Sequence, residues 1–213
     1  MITQPFCIDA LGTTILADPV AVRQGFDRCP AMLFDDVIAP DLLDRLMRMA
    51  SRTRFVPDVV DRVGTREIEH GQALGKLLNI VLARSALWHW LEQATGVTPI
   101  GGVSGQVVQT RPETRDHLDW HNDLHAEPRQ LGVVIHLSSE AYSGGDFELR
   151  EAGQQENLAC FQHCRPGAMA VFAVRRNLEH RVTPLASGGP RRVYAGWFLA
   201  EPEHPHHGVV ERA

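Results

Sequence analysis

Two stretches hold the residues best suited to bind a metal. One runs Asp116-His117-Leu118-Asp119-Trp120-His121-Asn122-Asp123-Leu124-His125, and the other, much later, is Leu178-Glu179-His180-Arg181-Val182. Two imidazoles and one carboxylate on one face of an octahedral cation form a facial triad suited to iron(II). Three protein ligands leave three positions open, enough for a chelating 2-oxo acid and for dioxygen. His121 and Asp123 are separated by one residue, so on an extended segment both side chains point the same way. His180 then reaches the ion from a distant strand. His117 and Asp119 offer a second pair at the same spacing. The later pair is preferred because it stands nearer the strong strand that follows, which leaves His117 and His125 outside the triad. A competing geometry uses His117, His121 and His125, which recur every four residues and would align on a helix for zinc. Pro128 and the β-rich run behind it leave room for a single helical turn at most, and no Glu follows the first His to act as a base.

A 2-oxo acid on such a metal needs a fixed cation for its distal carboxylate, and arginine supplies a planar, permanently charged fork. The last strong strand reads Arg191-Arg192-Val193-Tyr194-Ala195-Gly196-Trp197. With period two, Arg191, Val193, Ala195 and Trp197 share one face and could wall a pocket, while Arg192, Tyr194 and Phe198 take the other. The bland alternative is a surface arginine pair on an edge strand.

The elements that must position these groups change character along the chain. Met32-Leu33-Phe34 reads as a short strand. Pro40-Asp41 opens an amphipathic helix through Leu42, Leu43, Leu46, Met47 and Met49. One long helix is expected over 71–94, with Leu74, Leu77, Leu78, Val81, Leu82 and Leu87 as its stripe and Gly96 as its stop. From residue 100 onward, β-rich runs at 103–110, 130–138, 146–150, 167–174, 180–185 and 191–200 alternate with Gly- and Pro-rich turns. Helices first and strands second predict an α+β, mainly β, arrangement. Residues 1–31 are expected to extend the same domain, 32–200 to form its body and 201–213 to be a tail. Residues 1–31, the loop at 126–130 and the tail are expected to border the opening.

The 213 residues suffice for one sizeable core, and 44% hydrophobic with 22% charged residues is ordinary for a soluble globular protein. A formal charge of −5 with no basic cluster beyond the pairs Arg175-Arg176 and Arg191-Arg192 argues against a nucleic-acid partner. The four cysteines form no CxxC pair, and Cys160 and Cys164 with His163 between them lack a second pair for a zinc finger. No signal sequence or membrane span is read, so a cytoplasmic location is expected.

From about Met32 to Leu199 the chain resembles the iron(II)/2-oxoglutarate dioxygenases of the prolyl-hydroxylase-like group. The matching elements occur in order: Arg111-Pro112, Trp120-His121-Asn122-Asp123, Val133-Val134-Ile135-His136-Leu137-Ser138 and Gly144-Gly145-Asp146-Phe147. Arg165-Pro166-Gly167, His180-Arg181-Val182-Thr183-Pro184, and Arg191 six residues before Trp197 complete the series. The resemblance implies a double-stranded β-helix of jelly-roll or cupin-like form, with the N-terminal helices packed on one sheet. It implies iron(II) on His121, Asp123 and His180, and 2-oxoglutarate paired with Arg191. His136 stands where the family often has a tyrosine that contacts the same carboxylate, and Arg111 replaces another such tyrosine, so both join the expected cofactor-binding set. The implied reaction is hydroxylation of an unactivated carbon with dioxygen, releasing succinate and carbon dioxide, with ascorbate as an optional accessory. A peptide, amino acid or small metabolite is the implied substrate. The carboxylate at Asp123 separates the chain from halogenases, and Trp197 separates it from nucleic-acid demethylases, which carry a second arginine there. A non-catalytic metal-binding cupin-like barrel and a zinc hydrolase are the alternatives, and the number of subunits is not legible.

Overall fold

The computed structural model describes residues 4–124, 128–162 and 165–201. In chain order the elements are β1 (Phe6–Ile8), β2 (Thr13–Ile15), α1 (Val20–Arg28), β3 (Ala31–Phe34), α2 (Pro40–Arg52), β4 (Phe55–Val60), β5 (Gly64–Glu69), α3 (Ala73–Leu82) and α4 (Ser85–Thr95). The β-rich part follows as β6 (Ile100–Thr110), β7 (His117–His121), β8 (Arg129–His136), β9 (Tyr142–Gly144), β10 (Phe147–Glu151), β11 (Asn157–Phe161), β12 (Met169–Ala173), β13 (Leu178–Val182), β14 (Leu185–Gly188) and β15 (Arg191–Ala200).

Eleven strands join one sheet in the order β11-β10-β13-β7-β5-β6-β15-β8-β12-β3, with β4 hanging on β5. The pairs given for its strands are antiparallel. Strands far apart in that order nevertheless touch. Phe172 of β12 lies with its ring centroid 4.8 Å from Phe147 of β10 and 4.7 Å from His180 of β13. The sheet therefore curls until its two halves face each other, which is the double-stranded β-helix expected from the sequence. The opposite faces of β8 and β12, turned toward the helices, supply much of the packed core: Leu131, Val133, Ile135, Met169 and Val171 are fully buried.

The helices cover the outer side of β6 and β15. α2 turns Leu42, Leu46 and Ala50 inward at the spacing its sequence shows. The single helix expected over 71–94 is in fact two. Arg84 is extended (φ −119°, ψ 123°), and the Trp88 indole N–H donates to the carbonyl of Leu82 at 2.8 Å, satisfying the end of α3. The break restarts the stripe, so Leu74, Leu78 and Leu82 face inward in α3, and Leu87, Trp90, Leu91 and Ala94 do so in α4. Gly96 closes α4 at φ 69°, as its position suggests.

Two polar contacts tie this helix layer to the sheet. The Tyr194 hydroxyl donates to Asn79 Oδ1 at 2.6 Å, and its ring passes so close to Gly105 that a Cβ there would stand 2.5 Å away. At the entry of α3, the buried Glu69 carboxylate accepts from the backbone N–H groups of Leu74 (2.7 Å) and Gly75 (2.8 Å). A carboxylate there also meets the positive end of the helix dipole. Phe6, Ile8 and Phe26 are fully buried, and Phe6 packs edge-to-face against Phe34 and Trp90. Among the described residues no helix is long and apolar enough to cross a membrane. The Glu69→Ala substitution should lower stability by about 1–3 kcal/mol, because it removes a helix cap and leaves buried N–H groups unpaired. Urea unfolding of the two proteins checks this.

Candidate metal and cosubstrate site

β7 and β13 run antiparallel, with His121 directly opposite His180. Leu118 pairs with Val182, so three steps along β7 match two along β13. That extra residue is a bulge. In a regular strand Leu118 and His121 would face opposite ways; with the bulge both line the same cavity. The bulge thus separates the two candidate pairs. His121 and Asp123 turn inward, whereas the side chains of His117 and Asp119 are 39% and 71% exposed. β7 is a strand, so the helical alignment of His117 with His121 does not arise, and His125 lies outside the described residues.

The ligand atoms of His121, Asp123 and His180 lie within 4.8 Å of one another. Asp123 and His180 are buried. The Nε2 atoms of His121 and His180 stand 3.7 and 3.4 Å from the two carboxylate oxygens of Asp123. His121 Nδ1 donates to the carbonyl of Asp119 at 2.7 Å, which places its proton there and leaves Nε2 free to bind a cation. His180 packs against Phe147 and Phe172, and burial pushes its pKa down to about 4, so its imidazole is a neutral ligand at physiological pH. The Trp197 indole donates to Asp123 Oδ2 at 2.8 Å, and Arg129 lies 3.6 Å over the Trp197 ring while donating to the carbonyl of Asp123. Those contacts fix the carboxylate's orientation. They were legible only as an aromatic on the inward face of the last strand.

Below the triad the cavity is walled by Val108, Val133, Val134, Val193 and Ala195, with Arg191 at one end. Arg191 is 3% exposed, and among the described residues its Nε finds no hydrogen-bond partner. Thr110, opposite it in register on β6, likewise has a buried hydroxyl without a partner among the described residues. Buried polar atoms left unsatisfied on neighbouring strands are costly unless a polar guest completes them. The Gly144-Gly145 turn makes room for this. Gly145 sits at φ 68°, and a Cβ there would stand 2.8 Å from Arg191 Cδ. Thr110 escaped sequence reasoning because a lone threonine in a strand carries no signal.

His136 shares the β8 face of Val134 and lies opposite Val193. It is buried, and the Tyr142 hydroxyl lies 3.4 Å from its Nδ1. Burial, reinforced by the Arg191 charge, pushes its pKa from 6.5 down to about 3. Arg111, expected beside the cosubstrate, is placed elsewhere. Its Nε donates to Glu67 at 2.9 Å, its side chain is 44% exposed, and it does not line the cavity. Gln109 also donates to Glu67, so that carboxylate draws Arg111 onto the outer face. On the outer side of β10 and β13, Arg150 pairs with Glu179 and Arg181 with Glu148, and both guanidiniums lie over the Trp120 ring at 3.7 and 4.7 Å. This brace spans the strands that carry His121 and His180. Cys164 and His163, residues 126–127 of the loop at 126–130, and the tail with His204, His206 and His207 lie outside the described residues.

A curled jelly roll with two histidines and an aspartate at one end, and a buried arginine deeper in, is the architecture of a metal-dependent oxygenase. Residues 105–199 match the family model of the 2OG-Fe(II) oxygenase superfamily. That segment holds the triad and Arg191, so over its β-rich half the chain is similar to that superfamily. No curated protein matches it. Solved structures agree on the fold. A prolyl-4-hydroxylase of Pseudomonas putida aligns with TM-score 0.62 at 16% identity, over 86% of this chain and 99% of that one. A Trichoplax adhaerens prolyl hydroxylase, solved with a peptide fragment of the hypoxia inducible factor oxygen degradation domain, gives 0.63 at 14% identity over 85% and 88%. AviO1 from Streptomyces viridochromogenes Tue57 gives 0.58 at 20% identity over 90% and 99%.

His136 is buried and neutral when folded but has an ordinary pKa when unfolded, so the unfolded chain binds the extra proton. Its contribution is complete above about pH 6.5 and is lost as pH falls toward about 3. The metal-free protein should lose stability over that window, and His136→Gln should flatten the acid limb by up to about 1.4 kcal/mol per pH unit. Urea midpoints between pH 7 and pH 4 measure it.

Proposed function

We propose that the protein is an iron(II)- and 2-oxoglutarate-dependent hydroxylase acting on an unactivated carbon of a peptide, amino acid or small metabolite. The observation that carries this reading is the buried Arg191, its Nε without a partner among the described residues, in the same cavity as His121, Asp123 and His180, with the Thr110 hydroxyl, equally unpartnered, opposite it in register on β6. An apolar pocket ending in a guanidinium and a hydroxyl suits the distal carboxylate of a short dicarboxylic acid whose other end chelates the metal. When bound, the iron and 2-oxoglutarate supply the oxidising chemistry, with succinate and carbon dioxide released.

The chain's own residues do the positioning. His121 and His180 offer their Nε2 atoms, and Asp123 offers an oxygen while Trp197 holds the other. Arg191 and Thr110 take the distal carboxylate, and His136 contributes from the next strand. The valines of β6, β8 and β15 keep that carboxylate out of water, which strengthens its pairing with Arg191. Beyond the metal-binding end, a wider cleft formed by Val60, Ser104, Gln106, Asn122 and Trp197 is where the primary substrate enters. The peptide held by the Trichoplax hydroxylase supports a peptide or amino-acid substrate. On this reading residues 32–200 are the catalytic body, residues 1–31 extend it and 201–213 form a tail, with ascorbate as an optional reductant and the cytoplasm as the site of action.

With iron(II), 2-oxoglutarate and air, succinate should form, and Asp123→Ala should reduce it to background. The Arg191→Met variant should raise the KM for 2-oxoglutarate about 10- to 100-fold, the loss of a charge-assisted pair. The Trp197→Phe variant should weaken manganese(II) affinity by about tenfold, because it frees the Asp123 carboxylate from its donor. Metal binding without 2-oxoglutarate binding would instead point to a non-catalytic barrel.

A further inference from the structure

The hydroxylase reading leaves Arg66 without a task. It stands on β5, whose neighbours are β7 and β6. Gly64 pairs with Leu118 and Ile68 with Val108, and both partners line the inner cavity. Period two puts Arg66 on that same inward face. Its side chain is 16% exposed, and it borders both the inner cavity and the outer cleft, at the neck between them. Its Nε donates to Asp58 Oδ2 at 2.9 Å, from the residue directly opposite on β4. Among the described residues nothing accepts from either Nη. The guanidinium is therefore steadied along one edge and presents the other to the cavity, beside Val108, Leu118 and Val182. A purely structural ion pair would sit more cheaply on the outer face of this hairpin.

Resting on the hydroxylase reading, we propose that Arg66 anchors a carboxylate of the primary substrate, so the enzyme oxidises a small carboxylate-bearing molecule of the amino-acid class. Arg191, at the far end, takes the cosubstrate's distal carboxylate, which leaves Arg66 to a second anion. A single guanidinium already facing Asp58, with Asp61 at the cleft, matches a monoanion better than a phosphate dianion. Because Arg66 lines the same cavity as the triad, a carboxylate held there lies few bonds from the carbon presented to the metal. The remaining cleft lining, Ser104, Gln72, Gln106 and Asn122, offers neutral hydrogen-bonding groups suited to an amide or amine further along the molecule.

The test is calorimetric. Protein loaded with manganese(II) is first titrated with 2-oxoglutarate, then with N-acetyl-L-alanine, N-acetyl-L-leucine and N-acetyl-L-glutamine, each against its primary amide. The wild type should bind at least one acid about tenfold or more tightly than its amide. That preference should fall close to one in Arg66→Gln, survive in part in Arg66→Lys and persist in Asp58→Asn, with thermal melts showing that each variant is folded. Equal binding of acid and amide, no binding of any acid, or an undiminished preference in Arg66→Gln overturns the proposal. A loss of 2-oxoglutarate affinity in Arg66→Gln also overturns it, by assigning Arg66 to the cosubstrate. Failure of 2-oxoglutarate to bind the wild type at the first step sinks the hydroxylase reading itself. If it binds and Arg191→Met weakens it, only the assignment of Arg66 is at stake.

Discussion

The pairing of His121 with His180 across β7 and β13 is the constraint on which the site depends. Antiparallel register sets two imidazoles side by side with no loop involved, and a bulge of one residue turns the His121 end of β7 inward. A slip of one position would face every side chain of β7 the other way and present His117 and Asp119 to the cavity. The outer face resists such a slip. Arg150, Arg181 and Trp120 stack together while each arginine also pairs with a glutamate on the neighbouring strand. Isolated surface ion pairs contribute little, but a linked set with an aromatic between its cations is harder to rearrange.

The deeper end is organised by space rather than by register. Arg191 can lie flat in an apolar pocket because Gly145 carries no side chain, and β6 answers it with Thr110 instead of another valine. The helix layer acts on the same strands from outside. Tyr194 reaches over Gly105 to Asn79, and Glu69 pins the start of α3 to the end of β5. The strand carrying Arg66 is therefore anchored at one end by a helix cap and along its edge by β4.

The triad, Arg191 and the strand-rich second half were legible because each rests on local spacing: one residue between ligands, period two along a strand, turns rich in Gly and Pro. The hairpin of β4 and β5 was not. Phe55–Val60 contains a proline, and Gly64–Glu69 alternates charges with small residues, so neither shows an apolar period. Arg66 was missed with it. The break at Arg84 was hidden because Leu74 to Leu87 keep near-helical spacing across it. Arg111 misled for a different reason: motif order placed it near the cosubstrate, but the carboxylate of Glu67, distant in sequence, decided where it points. Local pattern finds ligands on strands; long-range pairing decides which charged neighbours join them.

The indole of Trp197 touches the Asp123 carboxylate through its N–H and lies under the guanidinium of Arg129. A fluorophore so close to a cluster of ligands makes the protein its own optical sensor. A paramagnetic ion seated between His121, Asp123 and His180 would quench the emission of Trp197 and of Trp120 beside His121, whereas Trp88 and Trp90, in α4, would report on the scaffold.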